Sequence, residues 1–134
     1  MIFLKGLWPD GTEIFVEHTS HHPPISHFLI NDFDNQYKFF GYYEYKASLR
    51  GNALVGKQEG PNKIRFKDGQ EIVFMLPPIK ISGLLFGTRI IELYENITFR
   101  DEKNDLICKL QFYEGGGFFQ SRLHPSDYFE FLLY

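Results

Sequence analysis

The sequence predicts an all-β fold, a meander of sequential antiparallel strands in a single domain over residues 1–134. Apolar and polar residues alternate with a period of two in several segments, which is the pattern of a half-buried strand. Aromatic residues, which favour strands, make up 18% of the 134 residues and include 15 Phe. No segment combines an apolar stripe at helical spacing with capping residues, so no long helix is predicted.

The first half of the chain contains two clear strand patterns. A turn at Asp10-Gly11 precedes an apolar strand over residues 12–17. A second strand covers residues 36–46, and its more polar face carries Gln36, Lys38, Glu44 and Lys46 together with Phe40 and Tyr42. One face of this strand is mainly aromatic and carries Tyr37, Phe39, Gly41, Tyr43 and Tyr45.

A β-hairpin is predicted in the middle of the chain. Asp68-Gly69 lies between residues 63–67 and residues 71–76, and a two-residue Asp-Gly loop between two such runs is a strong hairpin signal. Pro77-Pro78 then ends the second strand, because proline cannot donate a ladder hydrogen bond.

The second half predicts one strand over residues 90–99, a polar loop over residues 100–105 and a strand over residues 106–112. Gly115-Gly116-Gly117 ends that strand, and the apolar tail over residues 128–134 fits no single element. A meander buries its apolar face in a sandwich or in a closed barrel. Residues 73–76 and much of 79–86 are apolar on both faces, which indicates an outer layer or an apolar lumen that holds a ligand.

Charge and cysteine content exclude several classes of protein. The net charge is −3, so a basic surface for a nucleic-acid partner is not expected. Cys108 is the only cysteine, which rules out an internal disulfide and favours a reducing, cytoplasmic setting. No apolar run reaches the ~18 residues of a membrane span, and the start of the chain is too short for a signal peptide. No cofactor motif is present.

The segment from Glu17 to His27 is the most unusual part of the sequence, because it holds four of the five histidines. One interpretation is that these side chains are partly exposed and have no role. A metal site is a second interpretation, but His21 and His22 are adjacent and would point to opposite faces of a regular strand. The spacing of His18 to its neighbours also matches no familiar zinc motif.

Anion capture is the third interpretation of this segment. Pro23 and Pro24 are expected to end ladder pairing, which places His21 and His22 where a strand meets a rim. A bend there turns both imidazoles toward one site. Two imidazoles with the nearby Ser20 hydroxyl suit a phosphate group.

These residues resemble a known signature. Glu17 to Pro24 is similar to the octapeptide Glu-Gln-Val-Ser-His-His-Pro-Pro of the oxysterol-binding protein family and matches it at six of eight positions. The departures are His18 and Thr19. Weaker resemblance follows in three segments: Lys46-Ala47-Ser48 with Gly51, residues 83–89 with Glu92-Leu93, and residues 108–112.

The resemblance implies an incomplete β-barrel around a lipid tunnel. It implies intracellular transfer of a sterol or phospholipid between membranes, with phosphatidylinositol 4-phosphate as counter-lipid and with no enzymatic activity. The family contacts the inositol phosphate through the paired histidines, which are His21 and His22 here, with Ser20 as possible support. Tyr37, Phe39 and Tyr43 are candidates for the tunnel lining, and the alternative for each is an ordinary place in the core. The expected location is cytoplasmic, peripherally at organelle membranes, with transient contact to the membrane surface.

The resemblance covers roughly residues 10 to 120. The family's lid, its upstream Leu-Asn-Pro motif and its C-terminal Lys and Arg are not in this sequence, so the chain is expected to be the central fragment of a larger lipid-transfer domain. Two alternatives remain open: a truncated paralogue that transfers nothing, and a structural β-domain. A histidine-cluster hydrolase using Ser20 and Glu17 is a weaker alternative, because no nucleophile elbow or phosphate-binding glycine loop is present.

Overall fold

The computed structural model describes residues 2–93, 95–112 and 129–133, which form one 12-stranded antiparallel sheet. The strands are β1 (Ile2–Leu7), β2 (Glu13–His21), β3 (Pro24–Asn31), β4 (Tyr37–Arg50), β5 (Ala53–Glu59), β6 (Asn62–Phe66), β7 (Glu71–Phe74), β8 (Ile79–Ser82), β9 (Ile90–Leu93), β10 (Asn96–Asp101), β11 (Leu106–Phe112) and β12 (Phe129–Leu133). The predicted all-β antiparallel fold is confirmed.

The sheet divides into two arms at β4. Along one edge of β4, residues Tyr37 to Gly41 pair with β6, and residues Glu44 to Arg50 pair with β5. One arm continues through β6, β7, β10 and β11 to β12, and the other continues through β5 and β8 to β9. The strand order begins at β1 and ends at β12, so the described part of the sheet does not close into a barrel. The pairs β4–β6, β5–β8 and β7–β10 join strands that are not consecutive in the chain, so the prediction of a purely sequential meander was wrong.

Four strands were not predicted, and one segment predicted as a single strand forms two. The missed strands are β1, β3, β5 and β12, the last of which lies in the tail that was left without an element. The strand expected over residues 90–99 was wrong as a single element, because Glu95 has a left-handed backbone (φ 68°) between β9 and β10. Strand β9 pairs with β8 and β10 pairs with β7, so this residue is where the chain passes from one arm to the other.

The predicted hairpin at Asp68-Gly69 is present with a longer loop. The Phe66 amide donates to the Gln70 carbonyl (2.8 Å), so residues 67–69 form a three-residue loop rather than the two-residue loop that was predicted. Gly69 has φ 84° and supplies the left-handed residue that such loops require. Strand β7 ends at Phe74, before Pro77-Pro78 as expected. The stretch from Gly115 to Gly117 lies outside the described residues, and the described part of the tail is β12, which pairs with β11.

The two faces of the sheet differ in chemistry. One face carries a row of rings across β3, β4, β7 and β10, with centroids 5.0 Å apart for Phe28–Phe39, 6.1 Å for Phe39–Phe74 and 4.9 Å for Phe74–Phe99. We call it the aromatic face. Such cross-strand ring pairs stabilise a sheet.

The opposite face has rings that are covered by cations. The guanidinium of Arg65 lies 5.1 Å from the Phe40 ring and also binds Glu71 at 2.7 Å. The ammonium of Lys5 lies 5.1 Å from the Phe15 ring. Long cationic side chains cover apolar surface in this way while their charged ends stay in water, so these two rings are partly shielded from solvent.

Asp101 ties the β10–β11 turn to the β6–β7 hairpin. Its carboxylate accepts hydrogen bonds from the Asn104 side chain (2.6 Å), from the Asn104 amide (3.2 Å) and from the side chain of Gln70. The hydrogen bond from the Asn104 side chain is the main reason why the pKa of Asp101 lies below its ordinary value of 3.8.

We therefore expect Asp101 to contribute to the acid sensitivity of the fold. A lowered carboxyl pKa stabilises the folded state at a pH above the ordinary value, and this stabilisation is lost as the pH falls through the lowered pKa. The Asp101→Asn variant should unfold at a lower urea concentration at about pH 7, but the gap to the native protein should narrow at about pH 3. Urea midpoints at both pH values measure this, and an unchanged gap would contradict it.

Candidate functional site

The β2–β3 hairpin positions the histidine segment. Strand β2 ends at His21 and pairs there with Pro24, the first residue of β3, so His22 and Pro23 form the turn and are joined by a cis peptide bond. The prediction that His21 lies at a strand end is confirmed. The expectation that the two prolines end ladder pairing was wrong for Pro24, because proline is tolerated as the first residue of a strand.

A β-bulge at Thr19 brings two histidines together. His18 pairs with Ser26 and Ser20 pairs with Ile25, so Thr19 is an extra residue in β2. Side chains alternate between faces, and residues three apart normally lie on opposite sides. Because Thr19 is an extra residue between them, His18 and His21 lie on the same face of the sheet.

The hydrogen bonds around His18 confirm this arrangement. Its Nδ1 lies 3.0 Å from Ser26 Oγ, and its Nε2 lies 3.1 Å from His21 Nδ1. The two rings meet edge to face with centroids 4.7 Å apart. The three side chains form a continuous hydrogen-bonded series, which we call the His18–His21–Ser26 cluster.

This cluster has a chemical consequence for His21. When the Ser26 hydroxyl donates to His18 Nδ1, His18 carries its proton on Nε2 and donates it to His21 Nδ1. His21 then holds its own proton on Nε2, which is the tautomer that donates outward to an anion. His21 is exposed at the end of the hairpin, where a ligand can reach its side chain. In this tautomer, the cluster leaves the Nε2 proton of His21 available for a hydrogen bond to an anion.

The other predicted site residues have different positions. His22 is exposed in the turn next to His21. Ser20 occupies the register position next to His21, which places it on the opposite face, and the hydroxyl beside the histidines is that of Ser26. His27 also lies on the opposite face, where its ring stacks on Tyr42 with centroids 5.5 Å apart.

The predicted lining residues share the face of the cluster. Ser26 pairs across the strands with Tyr43, and Tyr37 and Phe39 lie on the same side of β4 as Tyr43. Tyr43 contacts the ring row through Phe28, at 6.3 Å between centroids. The cluster therefore lies at one border of the aromatic face, so a polar donor adjoins an extended apolar surface.

Sequence reasoning did not assign His18 and Ser26 to the site. His18 was weighed only as a metal ligand, and its spacing of three residues from His21 gave no reason to place both on one face. The bulge is the missing signal, and no residue type in the segment marks it. Within residues 2–93 and 95–112, no three His, Cys, Asp or Glu side chains converge as metal ligands. No helix in the described part of the chain is long and apolar enough to span a bilayer.

Comparison with known proteins gives consistent matches. The chain is 39% identical over 123 residues to oxysterol-binding protein 9 of Dictyostelium discoideum, which covers 88% of this chain and 29% of the relative. It is 30% identical over 102 residues to oxysterol-binding protein-related protein 5 of Mus musculus, which covers 75% of this chain and 12% of the relative. The protein KES1 of Mycosarcoma maydis is 30% identical over 129 residues, which covers 89% and 33%. The chain thus spans a third or less of the length of these relatives.

Solved structures share the fold. The Osh3 ORD in complex with PI(4)P from Saccharomyces cerevisiae matches with a TM-score of 0.79 at 19% identity, over 87% of this chain and 31% of that one. The Osh1 ORD domain in complex with ergosterol matches with a TM-score of 0.74 at 21% identity, over 82% and 27%. The open antiparallel sheet is therefore the fold of part of these domains.

The family comparison decides the identity. The family model described as oxysterol-binding protein matches residues 5–126, which is most of the 134-residue chain. This family is one of binding proteins, in agreement with the expectation that the chain is not an enzyme. The resemblance of the segment from Glu17 to Pro24 is thus supported by a match over nearly the whole sequence, and the chain belongs to the oxysterol-binding protein family.

Proposed function

We propose that this chain binds lipids and contributes to their transfer between membranes in the cytoplasm. The cargo is a sterol or a phospholipid, and phosphatidylinositol 4-phosphate is the counter-lipid. His21 and His22 hold the inositol phosphate. The lipid chains lie against the aromatic face, with Tyr37, Phe39 and Tyr43 among the contacts. The chain meets organelle membranes transiently and peripherally.

One observation carries this proposal. The His18–His21–Ser26 cluster lies at the border of the aromatic face. A hydrogen-bond donor for a phosphate group therefore adjoins an apolar surface. A phosphoinositide likewise consists of a phosphorylated headgroup joined to apolar acyl chains. On the opposite face, cations cover the rings of Phe15 and Phe40.

The energetics favour selection by the headgroup. Moving an acyl chain from water to an apolar surface gains ~0.8 kcal/mol per CH₂. The lipid starts in a bilayer that is already apolar, so the transfer of its chains is nearly neutral. A charge-assisted hydrogen bond contributes roughly 1.5–3 kcal/mol, and this is the part of the interaction that distinguishes one lipid from another.

The test is extraction of lipid from vesicles by the purified protein. We expect the protein, re-isolated and analysed by mass spectrometry, to carry phosphatidylinositol 4-phosphate at least about tenfold in preference to phosphatidylinositol, since one charge-assisted hydrogen bond contributes that much. Equal extraction of both lipids would contradict the role of the histidines. A structural β-domain extracts neither lipid, and a paralogue that transfers nothing extracts lipid without delivering it to acceptor vesicles.

A further inference from the structure

The loop between β8 and β9 presents two strongly exposed apolar side chains. Leu85 is 79% exposed and Phe86 is 72% exposed, and Leu49 near the end of β4 is 75% exposed. We call Leu85 and Phe86 the apolar tip. Neither residue belongs to the candidate site described above. Single exposed apolar residues are common on protein surfaces, so the way in which this pair is held decides what it means.

Asn52, in the β4–β5 turn, holds the tip in place. Its Oδ1 accepts from the amides of Leu85 (2.7 Å) and Phe86 (3.3 Å), and its Nδ2 donates to the Phe86 carbonyl (2.7 Å). The Asn52 carbonyl accepts from the Leu84 amide (3.2 Å). These backbone groups are therefore satisfied within the protein, which removes a large part of the cost of entering an apolar medium. The backbone of the loop is thus held by Asn52, while the side chains of Leu85 and Phe86 stay exposed.

The tip lies at the same end of the sheet as the histidine segment. Ile25, just after the His22–Pro23 turn, pairs with Glu44, and β4 continues for six residues beyond that point to Arg50. Arg50 pairs with Ala53, which pairs with Ser82 at the start of the loop. At ~3.3 Å per strand residue, the tip extends about 20 Å past the histidines in the strand direction.

The charge around the tip complements an anionic surface. Arg50 follows Leu49 directly, and Arg89 closes the loop. Neither residues 45–58 nor residues 79–91 contain Asp or Glu, and Glu92, the first acidic residue after Arg89, pairs across the strands with Lys80. Each cationic side chain near an anionic bilayer strengthens the binding of a protein to that bilayer by about fivefold. Apolar side chains flanked by such cations are typical of segments that enter the headgroup region.

We propose that the apolar tip inserts into the headgroup region of an anionic lipid bilayer, with Arg50 and Arg89 bound to its phosphates. The inference deepens the proposed function and rests on it, because it names the surface that meets the donor or acceptor membrane. Insertion at this end of the sheet also brings the histidine segment toward the bilayer from which a headgroup must come.

A tryptophan placed at the tip tests the insertion directly. The single native tryptophan, Trp8, lies in the β1–β2 turn at the other end of the sheet. A Trp8→Phe/Phe86→Trp protein should show a blue shift of its emission with phosphatidylcholine vesicles that contain phosphatidylserine, while Trp8 in the native protein should show none. Emission that is already blue-shifted without vesicles would overturn the proposal, because it would mean that protein covers the tip.

Binding to the same vesicles gives the magnitude. The Leu85→Ser/Phe86→Ser variant should partition about 10- to 100-fold more weakly, since two apolar side chains no longer enter the interface. The Arg50→Gln/Arg89→Gln variant should lose binding only to vesicles that contain phosphatidylserine. Phe33→Ser is the matched control, because Phe33 is 62% exposed in the β3–β4 turn at the opposite end of the sheet. An equal loss with this control would overturn the proposal.

A water-soluble short-chain phosphatidylinositol 4-phosphate separates the two proposals. The tip variants should bind it as the native protein does, since they keep the histidine segment. One outcome is that neither the native protein nor the tip variants bind the short-chain lipid, while only the tip variants lose binding to vesicles. In that case the proposed function is wrong, but the insertion of the apolar tip is supported. If vesicle binding is unchanged in the tip variants, the membrane tip is wrong whatever the headgroup result.

Discussion

The double variant His21→Ala/His22→Ala should lose about two to four decades of affinity for phosphatidylinositol 4-phosphate. Two charge-assisted hydrogen bonds contribute roughly 1.5–3 kcal/mol each, and about 1.4 kcal/mol corresponds to one decade. Both side chains are exposed at the end of the β2–β3 hairpin, so the fold should not change. Titration with a short-chain form of the lipid measures the loss without any contribution from vesicle binding.

His27→Ala is the matched control for this experiment. His27 belongs to the same hairpin, but its ring stacks on Tyr42 on the opposite face. We expect this variant to bind the lipid as the native protein does. Native affinity in the double variant would show that His21 and His22 do not hold the phosphate, and an equal loss in the His27 variant would point to a general effect on the hairpin.

Replacement of Gly60 by alanine should have the largest effect on stability. Gly60 lies between β5 and β6 with φ 130°, and a Cβ there would be 2.1 Å from the backbone oxygen of Tyr42. Strain of roughly 1–3 kcal/mol from the backbone adds to roughly 1–3 kcal/mol from the collision, so we expect a loss of about 2–6 kcal/mol in the free energy of unfolding. Urea denaturation measures the loss.

Gly69→Ala isolates the contribution of the backbone conformation. Gly69 also has a positive φ (84°), but a Cβ there has no atom within 4 Å. We expect it to cost only about 1–2 kcal/mol. Similar urea midpoints for the two variants would mean that the contact between Gly60 and Tyr42 does not hold the β5–β6 turn against β4.

Local patterns in the sequence predicted much of the fold. The alternation of residues 36–46 corresponds to the central strand β4, and the boundaries predicted for residues 106–112 agree with β11. The strand predicted over residues 90–99 failed because Glu95 is an ordinary residue in a left-handed conformation, and alternation alone cannot reveal that. The division of one β4 edge between β5 and β6 depends on long-range pairing, which no local period encodes.

The candidate site could be predicted only in part. The string from Glu17 to Pro24 directed attention to His21 and His22, and the structure places both at the end of one hairpin. Ser20 was expected beside them, because nearness along the chain was the available guide. The hydroxyl that contacts the cluster belongs to Ser26, which is distant in sequence and reaches His18 through pairing across the strands. Cross-strand neighbours of this kind become visible only when the register is known.

The bulge at Thr19 makes the number of residues in β2 as important as their identity. Deleting Thr19 would move Ser20 and His21 to the opposite faces of β2 relative to their partners in β3, and His18 and His21 would then lie on opposite sides of the sheet. The threonine found here, where the signature has valine, also ties the bulge to β3, because its hydroxyl donates to the Ile25 carbonyl at 3.3 Å. The loss of this single codon would therefore separate the two imidazoles while both histidines remain in the sequence.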